Sequence, residues 1–175
     1  IERYKGEVSV NSVIVTEFNF KTLEINVGDK LVASGKKSLV QVKSSEGSTF
    51  LVRNGELLIK KFEKKLTVVH LLKGKFFHYL DTKKKKRSFI VKTKTASLGV
   101  RGTKYMVEAE DDKTYLCVCE GKVAIKSNLS KKLYTTSAGE DIDILNTMAD
   151  FKVRKASDMM FDMTAKEFLE MGLPL

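Results

Sequence analysis

The fold of this chain is decided by the stretch Ser88–Lys126, which reads SFIVKTKTASLGVRGTKYMVEAEDDKTYLCVCEGKVAIK. Apolar and polar residues alternate along much of it, which is the pattern of half-buried β-strands. The run Thr114–Cys119 is apolar on both faces and therefore predicts a central strand. The motif Val100-Arg101-Gly102-Thr103 interrupts the alternation, and Glu120-Gly121 predicts a tight turn. The stretch thus predicts a series of strands joined by short connections.

The rest of the chain repeats this pattern of short strands and turn signals. Strand-sized runs are separated by Gly, Asn and Ser at spacings of about 8–12 residues, which is typical of sandwiches, barrels and rolls. Turns are predicted at Asn11-Ser12, Ser34–Lys37, Asn54-Gly55 and Lys73-Gly74, and a further strand at Glu17–Ile25. The predicted fold class is all-β, a twisted antiparallel β-sandwich or roll.

A weak internal repeat pairs a Gly-x-Val strand with a later Gly-acid-x-aliphatic strand. Gly6–Val10 precedes Gly28–Leu31, and Gly121–Ile125 precedes Gly139–Ile142. The repeat suggests β-coil-like repeats within the fold, although coincidence in a β protein rich in Gly and Val explains it nearly as well.

The character of the chain changes after residue 145, where methionines become frequent and the alternation fades. We therefore divide the chain into a β domain, 1–145, and a C-terminal extension, 146–175. Thr164–Glu167 has the spacing of a capping box, Gly172 can end a helix and Pro174 prevents its continuation. The extension is expected to carry a short terminal helix docked on the chain's own sheet. The alternative is a partner-binding tail, because methionines suit adaptable surfaces.

Length and charge bound the possible functions. The chain has 175 residues, of which 42% are hydrophobic, and this is enough for one domain with a real core. No run approaches the ~18–20 apolar residues of a membrane span. Because the chain opens at Ile1 without a signal-type segment, we expect a processed fragment whose signal or anchor lies outside it. The net charge of +10 favours anionic partners, although lysines also keep β surfaces soluble.

The strongest charge cluster is a run of five basic residues: Lys83, Lys84, Lys85, Lys86 and Arg87. Such a run can bind nucleic acid, lipid head groups or another anionic polymer. We expect an exposed loop here, and a simply solvated loop is the alternative. Specific nucleic-acid recognition is not expected, because the aromatic residues upstream lie in a strand-like run and are more simply core.

Catalysis finds little support in the sequence. His70 and His78 lie in apolar runs without acidic or thiol partners at a metal-ligand spacing, so we expect packed or edge histidines. Cys117 and Cys119 can supply two thiolates, but no second pair completes a metal site, and core cysteines are expected. A disulfide between them would strain a regular strand. We therefore predict no enzyme activity, no metal and no cofactor.

The motif in the central stretch is interpreted as structural. Val100 lies between Gly99 and Gly102 and is expected to point into the core, while the glycines permit positive φ or close backbone approach. Arg101 can donate to carbonyl groups that the turn leaves unpaired, and Thr103 can add a hydroxyl bond. These five residues are expected to hold the central turn.

In combination, these elements resemble the FecR domain family. The matching segments are Gly6–Val8, Gly28–Leu31, Glu46–Ser48, Leu71–Gly74, Phe89–Thr103, Val118–Val123 and Gly139-Glu140. The resemblance covers roughly residues 4–144, and the Val-Arg-Gly-Thr segment is its specific part. Lys94, where the family usually has Pro, the cysteine pair and the Lys83–Arg87 run depart from the family pattern.

The resemblance implies an extracytoplasmic, non-enzymatic β domain of a bacterial cell envelope. Members of the family proper relay a signal from an outer-membrane transporter to a sigma factor, through a cytoplasmic part and a membrane span that this chain does not show. The leading hypothesis is a periplasmic binding and signalling module whose partner is a protein or an envelope polymer. The alternative is a basic domain that binds nucleic acid or another anionic polymer through Lys83–Arg87.

Overall fold

The computed structural model describes residues 1–44, 47–63, 65–80 and 88–175. Within these ranges the chain forms thirteen strands and one helix. In chain order they are β1 (Arg3–Val10), β2 (Val13–Ile14), β3 (Lys30–Lys43), β4 (Ser48–Phe62), β5 (Leu66–Leu80), β6 (Ser88–Lys92), β7 (Ala96–Val100), β8 (Lys104–Ala109), β9 (Lys113–Glu120), β10 (Lys122–Ser127), β11 (Leu133–Ser137), β12 (Glu140–Leu145), β13 (Arg154–Lys155) and α1 (Asp158–Glu170). The predicted all-β class with one short C-terminal helix is confirmed.

The strands form one mixed sheet that forks at β5. The first half of β5, Leu66–His70, pairs in parallel with β6, and the second half, Gly74–Tyr79, pairs antiparallel with β8. The first branch continues from β6 through β7 and β10 to β11, and the second from β8 through β9 and β12 to β13. On the other side of β5 the sheet continues through β4, β3, β1 and β2. Among the described strands, the β5–β6 pair is the one departure from the antiparallel pairing that we expected.

The two branches enclose one hydrophobic core. Leu98 and Ile125 from the first branch pack in the same cluster as Val107 and Leu116 from the second. Phe76, in the second half of β5, joins them. Because side chains alternate across a strand, each branch buries every second residue in this shared core, which makes a sandwich-like roll.

Three of the predicted turns lie inside long strands and were wrong. Ser34–Lys37, Asn54-Gly55 and Lys73-Gly74 are register shifts within β3, β4 and β5, which run for 14, 15 and 15 residues. Asn54 and Gly74 have positive φ, as turn residues do, but each strand continues beyond them. A Cβ on Gly55 would lie 3.0 Å from the Cα of Gly74, so the strands meet more closely than side chains permit. These positions are β-bulges.

The beginning of the chain combines a confirmed turn with an incorrect strand. Asn11 and Ser12 have φ of 49° and 69° and join β1 to β2, as predicted. Residues 17–22 form turns and residues 23–25 have no regular secondary structure, so the predicted strand is not found. The Asn19 side chain accepts from the backbone N–H of Thr16 at 2.7 Å, and Phe20 N–H donates to the Thr16 carbonyl. This local capping competes with strand pairing.

Helix α1 begins earlier than the capping-box spacing predicts and ends as predicted. Ser157 is its N-cap, whereas Thr164 lies inside the helix and donates to the Met160 carbonyl. At the C-terminus, Gly172 has positive φ, and its N–H and that of Leu173 bond carbonyls of the last turn, a Schellman motif. No described helix is long and apolar enough to cross a membrane.

The helix packs on the outer face of the second branch. Phe168 and Met171 form a second apolar cluster with Phe77, Met106 and Cys117. The predicted docking of the helix on the chain's own sheet is therefore confirmed. The boundary between 1–145 and 146–175 stays a prediction. Within the extension, β13 pairs with β12 of the β domain.

Candidate functional sites

Three strand crossings connect the two branches, and each contains a glycine with positive φ. The chain passes from β7 to β8 through residues 101–103, from β9 to β10 at Gly121, and from β11 to β12 at residues 138–139. The φ angles of Gly102, Gly121 and Gly139 are 57°, 82° and 81°. An L-residue rarely adopts this conformation, so glycine is the favoured residue at each crossing.

The crossings lie against one another. A Cβ on Gly121 would lie 2.6 Å from Cγ2 of Thr103 and 2.8 Å from the Gly102 carbonyl oxygen. The Ala138 N–H donates to the Gly121 carbonyl at 3.0 Å, and the Gly139 N–H donates to the Val118 carbonyl at 2.9 Å. The segments around Gly102, Gly121 and Gly139 therefore form one structural unit, through which the chain passes from one branch of the sheet to the other.

The five residues predicted to hold the central turn have different environments. Val100 and Thr103 are buried, and Gly102 takes the positive φ of the crossing. Gly99 lies in β7, where nothing would touch an added Cβ. Arg101 is exposed, and within the described part of the chain its side chain forms no hydrogen bond or ion pair. The expected contacts from Arg101 to turn carbonyls are not found there, and the structural role of the motif stays a prediction.

The basic run Lys83–Arg87 lies outside the described residues. It belongs to the connection between Leu80, the last residue of β5, and Ser88, the first residue of β6. The predicted anionic-partner surface therefore stays a prediction.

His78 is the centre of a buried polar network. Its Nε2 lies 2.7 Å from the Ser48 hydroxyl and its Nδ1 lies 2.9 Å from the Tyr105 hydroxyl. Its ring centroid is 3.9 Å from that of Phe89. Burial lowers the pKa of His78 to about 3, so the imidazole is neutral at physiological pH. The prediction that His78 is a packed histidine is confirmed.

An apolar cavity of about 350 Å³ opens beside this network. Its walls include Phe50, Ile59 and Phe89, and Ser48 contributes a hydroxyl. A serine beside a histidine resembles the start of a nucleophilic relay, but a histidine with such a low pKa is a poor general base at neutral pH. No local sequence motif predicts the cavity, because Ser48 and His78 are 30 residues apart in the chain.

The two cysteines lie on the face of β9 that α1 covers. Both are free and buried, as predicted for core cysteines. Interaction with the Cys119 thiol lowers the pKa of Cys117, against the effect of burial. The same interaction, together with burial, raises the pKa of Cys119. Of the two thiols, Cys117 is therefore the more acidic.

An exposed apolar edge lies near the start of the chain. The N-terminal apolar edge is formed by Val13, Ile14 and Phe18, of which Ile14 is 69% and Phe18 is 95% exposed. The turn that carries Phe18 is held by Asn19, whose side-chain amide donates to the Ile14 carbonyl at 2.9 Å. β2 pairs only with β1 among the described strands, so this edge of the sheet is uncovered. The sequence pattern predicted a strand at Phe18, so the exposed position of its side chain on a turn was not predicted.

Comparisons with known proteins agree with the fold. The sequence model described as "FecR protein" matches residues 30–124, which is just over half of the chain. Two crystal structures, each of a candidate anti-sigma factor from Parabacteroides distasonis ATCC 8503, are similar to the chain, with TM-scores of 0.64 and 0.63. Sequence identities are 20% and 21%, over 79% and 80% of this chain but only 64% and 63% of those proteins. No curated protein is significantly similar in sequence.

Proposed function

The chain belongs to the FecR protein family, and from this premise we propose that it is a non-enzymatic regulatory module of the bacterial cell envelope that binds another protein. The structural neighbours are described as anti-sigma factors, and regulation through protein contact fits that description. This chain spans less than two thirds of those proteins. The proposal is therefore limited to the β domain and its extension, placed on the extracytoplasmic side.

The N-terminal apolar edge is the observation that supports protein binding. Exposed aromatic and branched side chains at the centre of an interface contribute much of the energy of protein association. Phe18 is almost fully exposed, yet the bonds of Asn19 hold its turn in place. A partner that covers Phe18 and Ile14 would therefore remove apolar surface from water without first ordering a flexible segment.

Site-specific photocrosslinking in the producing bacterium tests this proposal. A photoreactive amino acid replaces Phe18, and a matched control places it at Leu129, which is 57% exposed in the turn after β10. We expect a discrete adduct with one envelope protein from position 18, and none from position 129. The adduct should disappear when Ile14→Ser is added on the same edge.

A regulatory readout decides whether that contact has a function. The transcripts to follow are those whose levels change when the protein is deleted. The double variant Ile14→Ser/Phe18→Ser should unfold like the parent and should change the levels of the same transcripts. The matched double variant Leu129→Ser/Leu133→Ser removes two similarly exposed leucines elsewhere and should regulate like the parent. The proposal is wrong if position 18 yields no adduct in the crosslinking experiment, or if the edge variant is folded and regulates like the parent.

A further inference from the structure

Sulfur atoms are concentrated beneath α1. The apolar cluster between the helix and the second branch contains Cys117, Cys119, Met106 and Met171, and Met160 packs against it. The two cysteines and Met106 lie on adjacent strands, β9 and β8. Thiols and thioethers are soft donors, and the larger core cluster of the described residues contains neither Cys nor Met.

Strand geometry brings three of these sulfurs together. Cys117 and Cys119 are two residues apart on β9, and both side chains lie in the apolar cluster beneath α1. Met106 is the direct cross-strand partner of Cys117. Cβ atoms of directly opposed residues in an antiparallel pair lie roughly 4.5–5.5 Å apart. Two thiols and one thioether therefore converge on the same small volume.

The cysteine pair is free in the structure. Alternate residues of a regular strand have Cα atoms about 6.6 Å apart, which lies near the upper limit of disulfide geometry. Cys117 is paired on both sides, with Met106 of β8 and with Asp141 of β12, whereas Cys119 lies at a register shift between β8 and β9. The two thiols are therefore available as ligands.

The donor set selects the class of cation. Over the ranges that the structure describes, no three His, Cys, Asp or Glu side chains come together as a metal site. This argues against zinc and other ions that need three or four such ligands. Two thiolates with a thioether instead suit a soft monovalent ion, which accepts two or three sulfur ligands. Lys104 lies near Cys119 and would offset part of the negative charge of a bis-thiolate complex.

We propose that Cys117 and Cys119, with the thioether of Met106, form a binding site for a soft monovalent d¹⁰ cation, namely Cu(I) or its analogue Ag(I). Binding forms two metal–thiolate bonds and releases the thiol protons to solvent, and no electron is transferred. The cation enters beside Cys119, which is 8% exposed, whereas Cys117 is fully enclosed. This site is separate from the N-terminal apolar edge, so it does not depend on the proposed regulatory contact.

Anaerobic titration of the whole chain with Cu(I), supplied from a chromophoric Cu(I) chelator, tests the proposal. We expect the protein to remove one equivalent from the chelator, and X-ray absorption of the complex to show only sulfur ligands. Loss even of an outer-shell partner weakens metal binding by about 10- to 100-fold, so Cys117→Ser or Cys119→Ser should weaken it at least about 100-fold. Met106→Leu should cause a smaller loss, and the exposed Met148→Leu none.

Other results would overturn the proposal. The site is refuted if the parent cannot compete with the chelator, if the metal shell contains mainly oxygen or nitrogen, or if both serine variants bind like the parent. If a serine variant does not fold, protection of the parent's thiols by bound metal tests the site instead. Bound Ag(I) should then shield both thiols from iodoacetamide in mild denaturant, and equal alkylation with and without Ag(I) would contradict it.

Discussion

Replacement of Gly121 by alanine tests the account of the strand crossings. The φ of 82° costs an L-residue about 1–2 kcal/mol. The new methyl group would also lie 2.6 Å from Cγ2 of Thr103 and 2.8 Å from the Gly102 carbonyl, and such overpacking costs about 1–3 kcal/mol. We therefore expect Gly121→Ala to lower the free energy of unfolding by about 2–5 kcal/mol. Urea unfolding followed by circular dichroism measures the change.

Gly139→Ala is the matched control for this measurement. Gly139 has nearly the same φ, 81°, but nothing lies within 4 Å of an added Cβ. It should therefore lose only the conformational cost of about 1–2 kcal/mol. In the Gly121→Ala background, Thr103→Ser removes the clashing methyl group and should recover part of the loss. Equal destabilisation by Gly121→Ala and Gly139→Ala, with no coupling to Thr103, would refute the close packing of the crossings.

The remaining predictions concern pH, charge and the exposed arginine. His78 stays neutral in the folded protein but takes up a proton near pH 6.5 in the unfolded chain. The free energy of unfolding should therefore fall as the pH drops below 6.5, by roughly 2 kcal/mol at pH 5. His78→Gln should flatten this pH dependence, and an equal pH dependence in parent and variant would contradict the burial argument. Replacing all five residues of Lys83–Arg87 by Gln should abolish salt-sensitive binding to anionic vesicles and DNA, whereas salt-independent or unchanged binding would exclude the run as the binding surface. Arg101→Ala should change the free energy of unfolding by less than about 0.5 kcal/mol, because the side chain is exposed. A larger loss in urea unfolding would instead support the hydrogen bonds from Arg101 to turn carbonyls that the sequence predicted.

The class of fold and the membership of the central stretch in the core could be predicted from residue patterns. Alternation identifies a strand because successive side chains point to opposite faces, and the run Thr114–Cys119 is buried on both faces as predicted. The end of α1 at Gly172 was also predictable, since a positive-φ residue followed by Pro174 stops a helix. These features depend on neighbours in the sequence.

The candidate sites were less predictable. The Ser48–His78–Tyr105 network and the cavity beside it join residues from three different strands. The cysteine pair was recognised as core, but its packing against Phe168 and Met171 depends on where α1 docks. Phe18 was assigned to a strand because its neighbours alternate, whereas Asn19 holds the segment in turns. In each case the deciding contact lies outside the local pattern.

The sequence by itself determined that the chain is a β protein of the FecR type with a capped terminal helix. Only the tertiary structure decided what each glycine does. Asn54-Gly55 and Lys73-Gly74 bend strands that continue, whereas Gly102, Gly121 and Gly139 carry the chain from one branch to the other. The local conformation is similar, because positive φ serves a bulge and a crossing equally. The distinction depends on which strands are available for pairing on either side, and that is a property of the whole sheet.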